Sequence, residues 1–544
     1  MRRRPWRQGV AFLLVLSAAT LQGQGTPTPV GQPTVLRSWA ELTTGSELEQ
    51  YLRVLQLSGV APLTQASLRG WSAAERDSML PRGKSHPWNA QMIAPAKRPT
   101  FSFEPIRPQL QLIENSGWAY GSNDGAIWAG RGLTTAVSGG FEVRSGPLTV
   151  VIDPVFFRAE NQAFTMRPVP SNVRGAPYND PVTPGNIDLP QRFGGAAYQR
   201  FDPGQSTIRL DLFGLTVGAS TANEIWGPAI TSPVILGNNA AGIPRLFFGT
   251  STPLNIGIGR IHGRMILGQT GQSDWSPKDT TGGKRLAAGL VGIFEPRGTH
   301  GVEIGFARFF HRFWPSGGLS LSDLAIPLAG FLTHGVDPGA SSTGTADNQL
   351  FSVFARVALP HSGLEIYGEF GREDHSADLR DLIGEPDQIS AYTLGLMHTW
   401  RSRDSSTVTA LRAEVTNSRV TDLVGGRTEG LFYEHGQIAQ GHTQYGQLLG
   451  SPAVRGGGGA TIALDRYSPD GRVTFSFTRT DEAGEVEGGL GTGATSALTM
   501  DVLRFRRGFD LSGQLGVIFD TGVQSSTDRF QVHASMGARF PVGF

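Results

Sequence analysis

Glu365 and Glu369 are the nearest approach in this sequence to a paired acid–base couple. On a strand they share one face, with Cα atoms about 13 Å apart at about 3.3 Å per residue. Glycosidases hold their two carboxyls about 5–5.5 Å or about 6.5–9.5 Å apart. The pair therefore reads as polarity on one strand face. His435 and His442 share a segment without a carboxylate at metal-ligand spacing, and read as loop histidines. There is no phosphate loop, zinc-ligand spacing or nucleophile elbow. The chain has no cysteine, which excludes disulfides, thiolate metal sites and cysteine catalysis. No catalytic residue, metal or cofactor is predicted.

Aromatic rings beside amides are more informative. Asn223-Glu224-Ile225-Trp226-Gly227-Pro228 is followed by Gly237-Asn238-Asn239. Trp118, Tyr120 and Trp128 lie earlier, and His311-Arg312-Phe313-Trp314 ends an apolar run. A ring flanked by amides stacks on a sugar while the amides bond its hydroxyls. Arg372, Glu373, Asp374, His375, Asp378, Arg380 and Asp381 form a mixed-sign cluster suited to a sugar or a lipid headgroup. The candidate polysaccharide contacts are thus Asn223, Glu224, Trp226, Asn238, Asn239, Trp118, Tyr120, Trp314, Arg372, Asp374 and His375. Two plainer readings stand beside this one: the aromatics fit the girdle of a membrane barrel, and the charged cluster fits a salt-bridged rim.

Charge and periodicity define the elements that carry these residues. Across 544 residues, 47 Lys+Arg against 46 Asp+Glu leave a net charge of +1, which argues against a nucleic-acid partner. Charged residues are 17% of the chain, below the roughly 25% of a soluble domain. Arg2, Arg3, Arg4 and Arg7 precede the uncharged run Gly9–Ala19. This is a secretory signal, and residues 1–25 are expected to be removed. No later stretch has the roughly 20 uninterrupted apolar residues of a transmembrane helix.

The C-terminus is a strand of another kind. Phe530, Val532, Ala534, Met536, Ala538, Phe540, Val542 and Phe544 alternate with Gln531, His533, Ser535, Gly537, Arg539, Pro541 and Gly543. One face is apolar for lipid and the other suits a lumen. A chain ending on Phe544 also suits recognition by barrel-assembly machinery. Similar alternation recurs at 351–359, 364–370, 473–477 and 509–519. A sheet in lipid must close, and single-chain bacterial barrels have even strand numbers. Eighteen strands fit between 98 and 544 if 243–249 forms a short strand ahead of 254–268. The expected fold is all-β, a transmembrane antiparallel barrel of about 18 strands over 98–544, in contact with outer-membrane lipid. Short turns such as 144–146 and 360–362 should face the periplasm, and the connections 159–205, 221–242, 313–348 and 418–457 should face outward. Before the barrel, Ser46–Glu49 and Ser72–Glu75 are capping boxes. They predict a small periplasmic helical unit that, with its linker, spans 38–97.

Several segments together resemble the Wzi family of capsule-assembly outer-membrane proteins. They are Asn223–Pro228 with Asn238–Pro244, Ile258-Gly259-Arg260, Glu365–Gly371 with Asp374-His375 and Glu385-Pro386-Asp387, and Tyr433–Gly436 with Gly441–Gly450. The resemblance spans roughly 40–544. It implies an eighteen-stranded barrel in the outer membrane of a Gram-negative-type bacterium, with a periplasmic helical bundle. It also implies a non-enzymatic role, the binding of exported capsular or other surface polysaccharide. A porin or saccharide-diffusion channel is the alternative.

Overall fold

The computed structural model describes residues 39–81, 85–91, 100–278, 283–328, 347–373, 389–419, 431–481, 493–506, 508–522 and 528–542. The signal segment, Asp374, His375 and Phe544 lie outside the described residues, as does most of the expected linker. Among the described residues, eighteen antiparallel strands close into one barrel. They are β1 Phe101–Asn115, β2 Gly132–Ser145, β3 in two pieces, Leu148–Ile152 and Val155–Ala159, and β4 also in two, Tyr198–Asp202 and Thr207–Leu212. β5 Leu215–Ser220, β6 Arg245–Thr250, β7 Gly259–Gly271, β8 Lys284–Pro296 and β9 Val302–Phe313 follow. Next come β10 Asp347–Leu359, β11 Leu364–Glu373, β12 Ser390–Arg401, β13 Val408–Asn417 and β14 Gly458–Ser468. β15 Gly471–Asp481, β16 Ala494–Arg506, β17 Phe509–Thr521 and β18 Arg529–Arg539 complete the wall. Closure is by β18 on β1, from Gln109 opposite Arg539 to Asn115 opposite His533.

Period-2 alternation sorts the two faces as expected. On β18, Phe530 is 68% exposed toward lipid while Gln531, pointing inward, is 1% exposed. The short strand β6 is present and pairs with both β5 and β7. Several boundaries differ from the sequence reading, among them the start of β7, at Gly259 and not 254. β4 starts at Tyr198, not 206, with a break beside Pro203 that matches the break in β3 beside Pro154; proline has no N–H for the ladder. β18 stops at Arg539, ahead of Pro541, instead of running to 544.

The helical unit sits inside the barrel. α1 (Glu47–Leu57) is capped by Ser46, whose side chain accepts the Glu49 N–H, and α2 (Ala73–Ser78) carries a full capping box from Ser72 and Glu75. Glu49 completes no box with Ser46; it turns instead to the Gly45 N–H and to Arg69. Leu48, Leu52 and Leu55 are buried, and Tyr51 stacks on Trp88 at 3.9 Å and meets Tyr467 of β14 at 5.1 Å. The Trp88 indole N–H donates to the carbonyl of Gly471, at the β14–β15 turn, at 3.2 Å. The unit thus closes the short-turn end.

A chain of buried charges fixes this plug to the wall. Arg53 of α1 donates to Glu365 of β11 through Nε at 3.0 Å. Glu365 also accepts from Arg356 of β10 at 2.7 Å, and Arg356 reaches on to Glu303 of β9. Glu303 in turn accepts the backbone N–H groups of Ala66 and Ser67 in the plug, each at 3.1 Å. Glu365 is therefore held between two arginines, as part of the polar lining of the lumen.

Long connections fill the other half of the lumen. Residues 221–244 and 431–457 fold inward onto β6–β12, burying Ile187, Val234, Ile235, Phe432, Tyr433 and Leu448 in one cluster. Trp226 lies at its centre, fully buried, 6.1 Å from the Phe309 ring. The wall makes room at Gly289, where a Cβ would stand 2.6 Å from the Trp226 ring. Ile225–Trp226 also pairs as a two-residue strand with Leu68–Arg69 of the plug.

Two outcomes test this packing. Arg356→Met leaves Glu303 and Glu365 short of a buried partner and should cost about 3–5 kcal/mol of stability. Unfolding of the detergent-solubilised barrel checks this, and neutralising all three residues together should cost less than the single change. Trp226→Ala should destabilise by about 3–5 kcal/mol through the cavity it leaves, and Trp226→Phe by clearly less, in the same assay.

Candidate functional site

The sequence-predicted contacts do not converge. Asn223, Glu224 and Trp226 are buried in the lumen and occupied there. Asn223 donates to the Ala240 carbonyl at 2.8 Å. Glu224 accepts the Trp226 indole N–H at 3.2 Å and pairs with Arg245 at 2.9 Å. Burial opposes its ionisation, yet Arg245 and Arg264 outweigh that and hold it down at about 2. These three cannot contact a polymer outside the protein, because all are covered by their own loop and the wall. Asn238 and Asn239 are half-buried and tie their loop to Asn123 and Leu448, through Asn238 Nδ2 on the Asn123 carbonyl at 2.9 Å and Asn239 Nδ2 on the Leu448 carbonyl at 3.2 Å.

The remaining candidates scatter around the rim. Trp118 packs on Ala497 and Ile518 with the Arg529 guanidinium 4.0 Å from its ring centre, and Tyr120 meets His533 edge-on at 5.4 Å. Trp314 lies outside the wall against Leu267, Leu286 and Phe310. Arg372 also faces outward, since its neighbour Glu373 turns inward to Asn348 and it stands opposite Phe351. The two loop histidines are apart in role. His442 is buried, with Nε2 donating to the Ile235 carbonyl at 2.7 Å and Nδ1 accepting from His311 at 2.8 Å. Burial pushes it down to about 3, so it stays neutral. His435 Nδ1 accepts the backbone N–H groups of Gln437 and Ile438. Among the described residues no group of three His, Asp or Glu is placed to hold a metal.

A different group forms the most site-like surface at the long-loop end. Trp128, Phe193, Tyr198, Trp275 and Tyr178 make one aromatic cluster. Trp128 and Phe193 lie 4.8 Å apart, Phe193 stacks on Tyr198 at 4.5 Å and meets Trp275 at 5.4 Å, and Tyr178 reaches Trp275 at 6.3 Å. Trp128, Tyr178, Tyr198 and Trp275 are half-buried, and Arg174 and Asp274 beside them are exposed. Seating Trp275 needs two glycines. A Cβ at Gly194 would stand 2.7 Å from its ring, and one at Gly175 would stand 2.2 Å from its carbonyl oxygen; both have positive φ, which glycine adopts without strain. Arg455 clamps the loops behind the cluster, pairing with Asp180 at 2.8 Å and with Glu434. Trp128 stood out in the sequence but Tyr178 and Trp275 did not. The one signal for Trp275 is its run Gln272-Ser273-Asp274-Trp275 in a connection between strands.

Between the plug and the wall, along β1 and β12–β18, lies a polar cavity of about 400 Å³. A neighbouring space of about 280 Å³ shares Gln109, Gln111, Asn123, Asp124, Asn238 and Arg539 with it. Burial pushes the Asp124 carboxyl up to about 7, against the pull of the Ser122 backbone N–H and with Asp501 adding to the rise. Amides and mixed charges line this space, and the arrangement suits hydroxyls and water.

With this geometry established, comparison with known proteins is decisive at the family level. Residues 158–526, well over half of the chain, match the family of the capsule assembly protein Wzi. The structure of Wzi from Escherichia coli covers 92% of this chain and 100% of its own at 13% identity and a TM-score of 0.61. That protein is described as an outer-membrane protein involved in group 1 capsule assembly and a carbohydrate-binding β-barrel. OprD of Pseudomonas aeruginosa is similar at 10% identity over 82% of this chain and 94% of its own, with a TM-score of 0.39. OpdQ of the same organism is similar at 9% identity over 80% and 97%, with a TM-score of 0.38. No curated protein sequence gives a significant match. The closed eighteen-stranded wall and the family match agree: the chain is an outer-membrane β-barrel that belongs to the Wzi capsule assembly family.

Proposed function

We propose that this barrel binds an exported surface polysaccharide, capsular in the first instance, at its long-loop end and helps to hold it at the cell surface without chemical turnover. The observation that carries this reading is the half-exposed aromatic cluster around Trp275, set over a lumen filled by the barrel's own plug and loops. Rings with polar neighbours suit stacking on sugar faces, and the filled lumen leaves no wide passage for a polymer. Carbohydrate binding by the Escherichia coli protein and the capsule-assembly role of the family support the same reading. Short turns of such barrels face the periplasm. The plug at Tyr51 and Trp88 then closes the periplasmic mouth, and the aromatic cluster faces outward. β18, the last strand, is the segment offered to barrel-assembly machinery, and the lipid-facing belt meets outer-membrane lipid.

Polysaccharide retention in a deletion strain tests the reading. Cell-bound and culture-supernatant polysaccharide are quantified separately beside the parent. The expected result is an unchanged total with a shift into the medium. An unchanged distribution would sink the proposal for that strain. Complementation with a Trp128→Ala/Trp275→Ala double variant should restore retention only in part while the amount of folded barrel matches wild type. Full rescue would move the site elsewhere on the rim. In planar bilayers the purified barrel should show no large stable openings; wide open steps would put a diffusion channel first.

A further inference from the structure

One loop segment lies on the wrong side of the wall for a lumen plug. On β9, Phe309 meets Trp226 and His311 meets His442 within the lumen. Alternation therefore turns Arg308, Phe310 and Arg312 outward. Lipid is the expected neighbour there, yet Arg308 is only 5% exposed and Phe310 only 3%. What covers them is the segment after β9. Trp314 and Ile326 pack on Leu267, Leu286, Ala288 and Phe310, the outward residues of β7, β8 and β9. The segment runs as a 3-10 helix, Leu321–Leu328, and its start is tied by Asp323, which accepts the Ser320 N–H at 2.7 Å. Arg308 donates to the Pro327 carbonyl at 3.3 Å and to the Gln349 side chain at 2.6 Å, its guanidinium 4.6 Å from the Phe310 ring centre. A bare guanidinium on the lipid face is costly, and here Pro327 of the strap and Gln349 of β10 supply its partners.

The strap's own outer side carries three leucines among small residues. Leu319, Leu324 and Leu328 are exposed. Below it the outward residues of β9 and β10, Ile304 and Val353, continue as the exposed apolar belt of the barrel. We propose that residues 314–328 form a strap embedded in the outer leaflet at the upper margin of that belt, with Leu319, Leu324 and Leu328 among lipid acyl chains. The occupant follows from continuity: the strap replaces lipid on the wall and presents an apolar face at the same side and the same level. The wall keeps a buried arginine there because the strap covers it and, with Gln349 of β10, supplies its acceptors. This anchoring stands independently of the polysaccharide reading.

The test uses the full chain, which has no cysteine of its own. Leu324→Cys is labelled with bimane and the protein is reconstituted into phosphatidylcholine vesicles containing doxyl-labelled phosphatidylcholine. Ile304→Cys on the belt and Asp404→Cys in a short turn are the lipid and water references. The expected result at position 324 is a blue-shifted emission, doxyl quenching comparable with position 304, and loss of the iodide quenching seen at position 404. Iodide quenching equal to that at 404, without doxyl quenching, would overturn the proposal. So would loss of doxyl quenching as protein density rises, together with cross-linking of unlabelled Leu324→Cys chains to each other by a bis-maleimide, since the face would then join two copies. Leu328→Cys repeats the measurement if the first variant fails to assemble.

Discussion

The chain of charges from Arg53 through Glu365 and Arg356 to Glu303 ties three consecutive wall strands to the plug. Each member is at most 7% exposed. In such a place an ion is tolerated only with partners, and losing one partner costs more than the pair contributes by itself. The chain ends on backbone N–H groups of Ala66 and Ser67, so the plug's loop supplies the last partners. Wall and plug therefore complete each other: without the plug, Glu303 and Glu365 lose donors inside a lumen that the rest of the loops keep dry. This makes the N-terminal unit part of the barrel's interior and not a separate domain tethered beneath it.

The plug sets up the upper half. Leu68–Arg69 offers the edge on which Ile225–Trp226 pairs, and that pairing places Trp226 against Gly289 and Phe309. From there the apolar cluster spreads across the lumen to Tyr433 and Leu448. The lumen is thus dry beside β6–β12 and polar beside β1 and β12–β18, where the cavity of about 400 Å³ remains. A blocked interior moves any dealings with a long polymer to the rim. The aromatic cluster there is stiffened from behind by Arg455, Asp180 and Glu434.

How much of this the sequence revealed depends on periodicity. Strand number, lipid-facing residues and the short strand β6 were legible, because alternation reports directly which side a residue faces. Both helix starts were legible from Ser46 and Ser72. The seat of the helical unit was not, because its contacts with Glu303, Glu365 and Gly471 are made across hundreds of residues. Trp226 was read as a rim aromatic for the same reason: a loop has no period, so a ring in it carries no sign of inward or outward. Tyr178 and Trp275 gave still less, since it is Gly175 and Gly194 that seat Trp275. The outer strap was hidden because Trp314 was read as a rim contact and Ile326 lies in a loop without a period, until β9 is seen to turn Arg308 outward.

The motifs that identify the family acquire a physical meaning from these contacts. Asn223–Pro228, Asn238–Pro244, Glu365–Gly371 and Tyr433–Gly450 all supply residues that line, seal or brace the lumen. Tyr433 donates its hydroxyl to the Val234 carbonyl, while its own N–H goes to Glu373. Glu224 is consumed by Arg245 and Arg264. A buried side chain with its partners already inside has nothing left to offer a polysaccharide. The recognisable segments therefore encode the sealing of the lumen, and on the proposed function the choice of glycan would fall to residues such as Trp128, Tyr178 and Trp275, whose rings are only half covered. On that reading two barrels of this architecture would share the sealed interior and differ in ligand, because Trp128, Tyr178 and Trp275 stand outside the ion pairs that join Arg53, Glu365, Arg356 and Glu303.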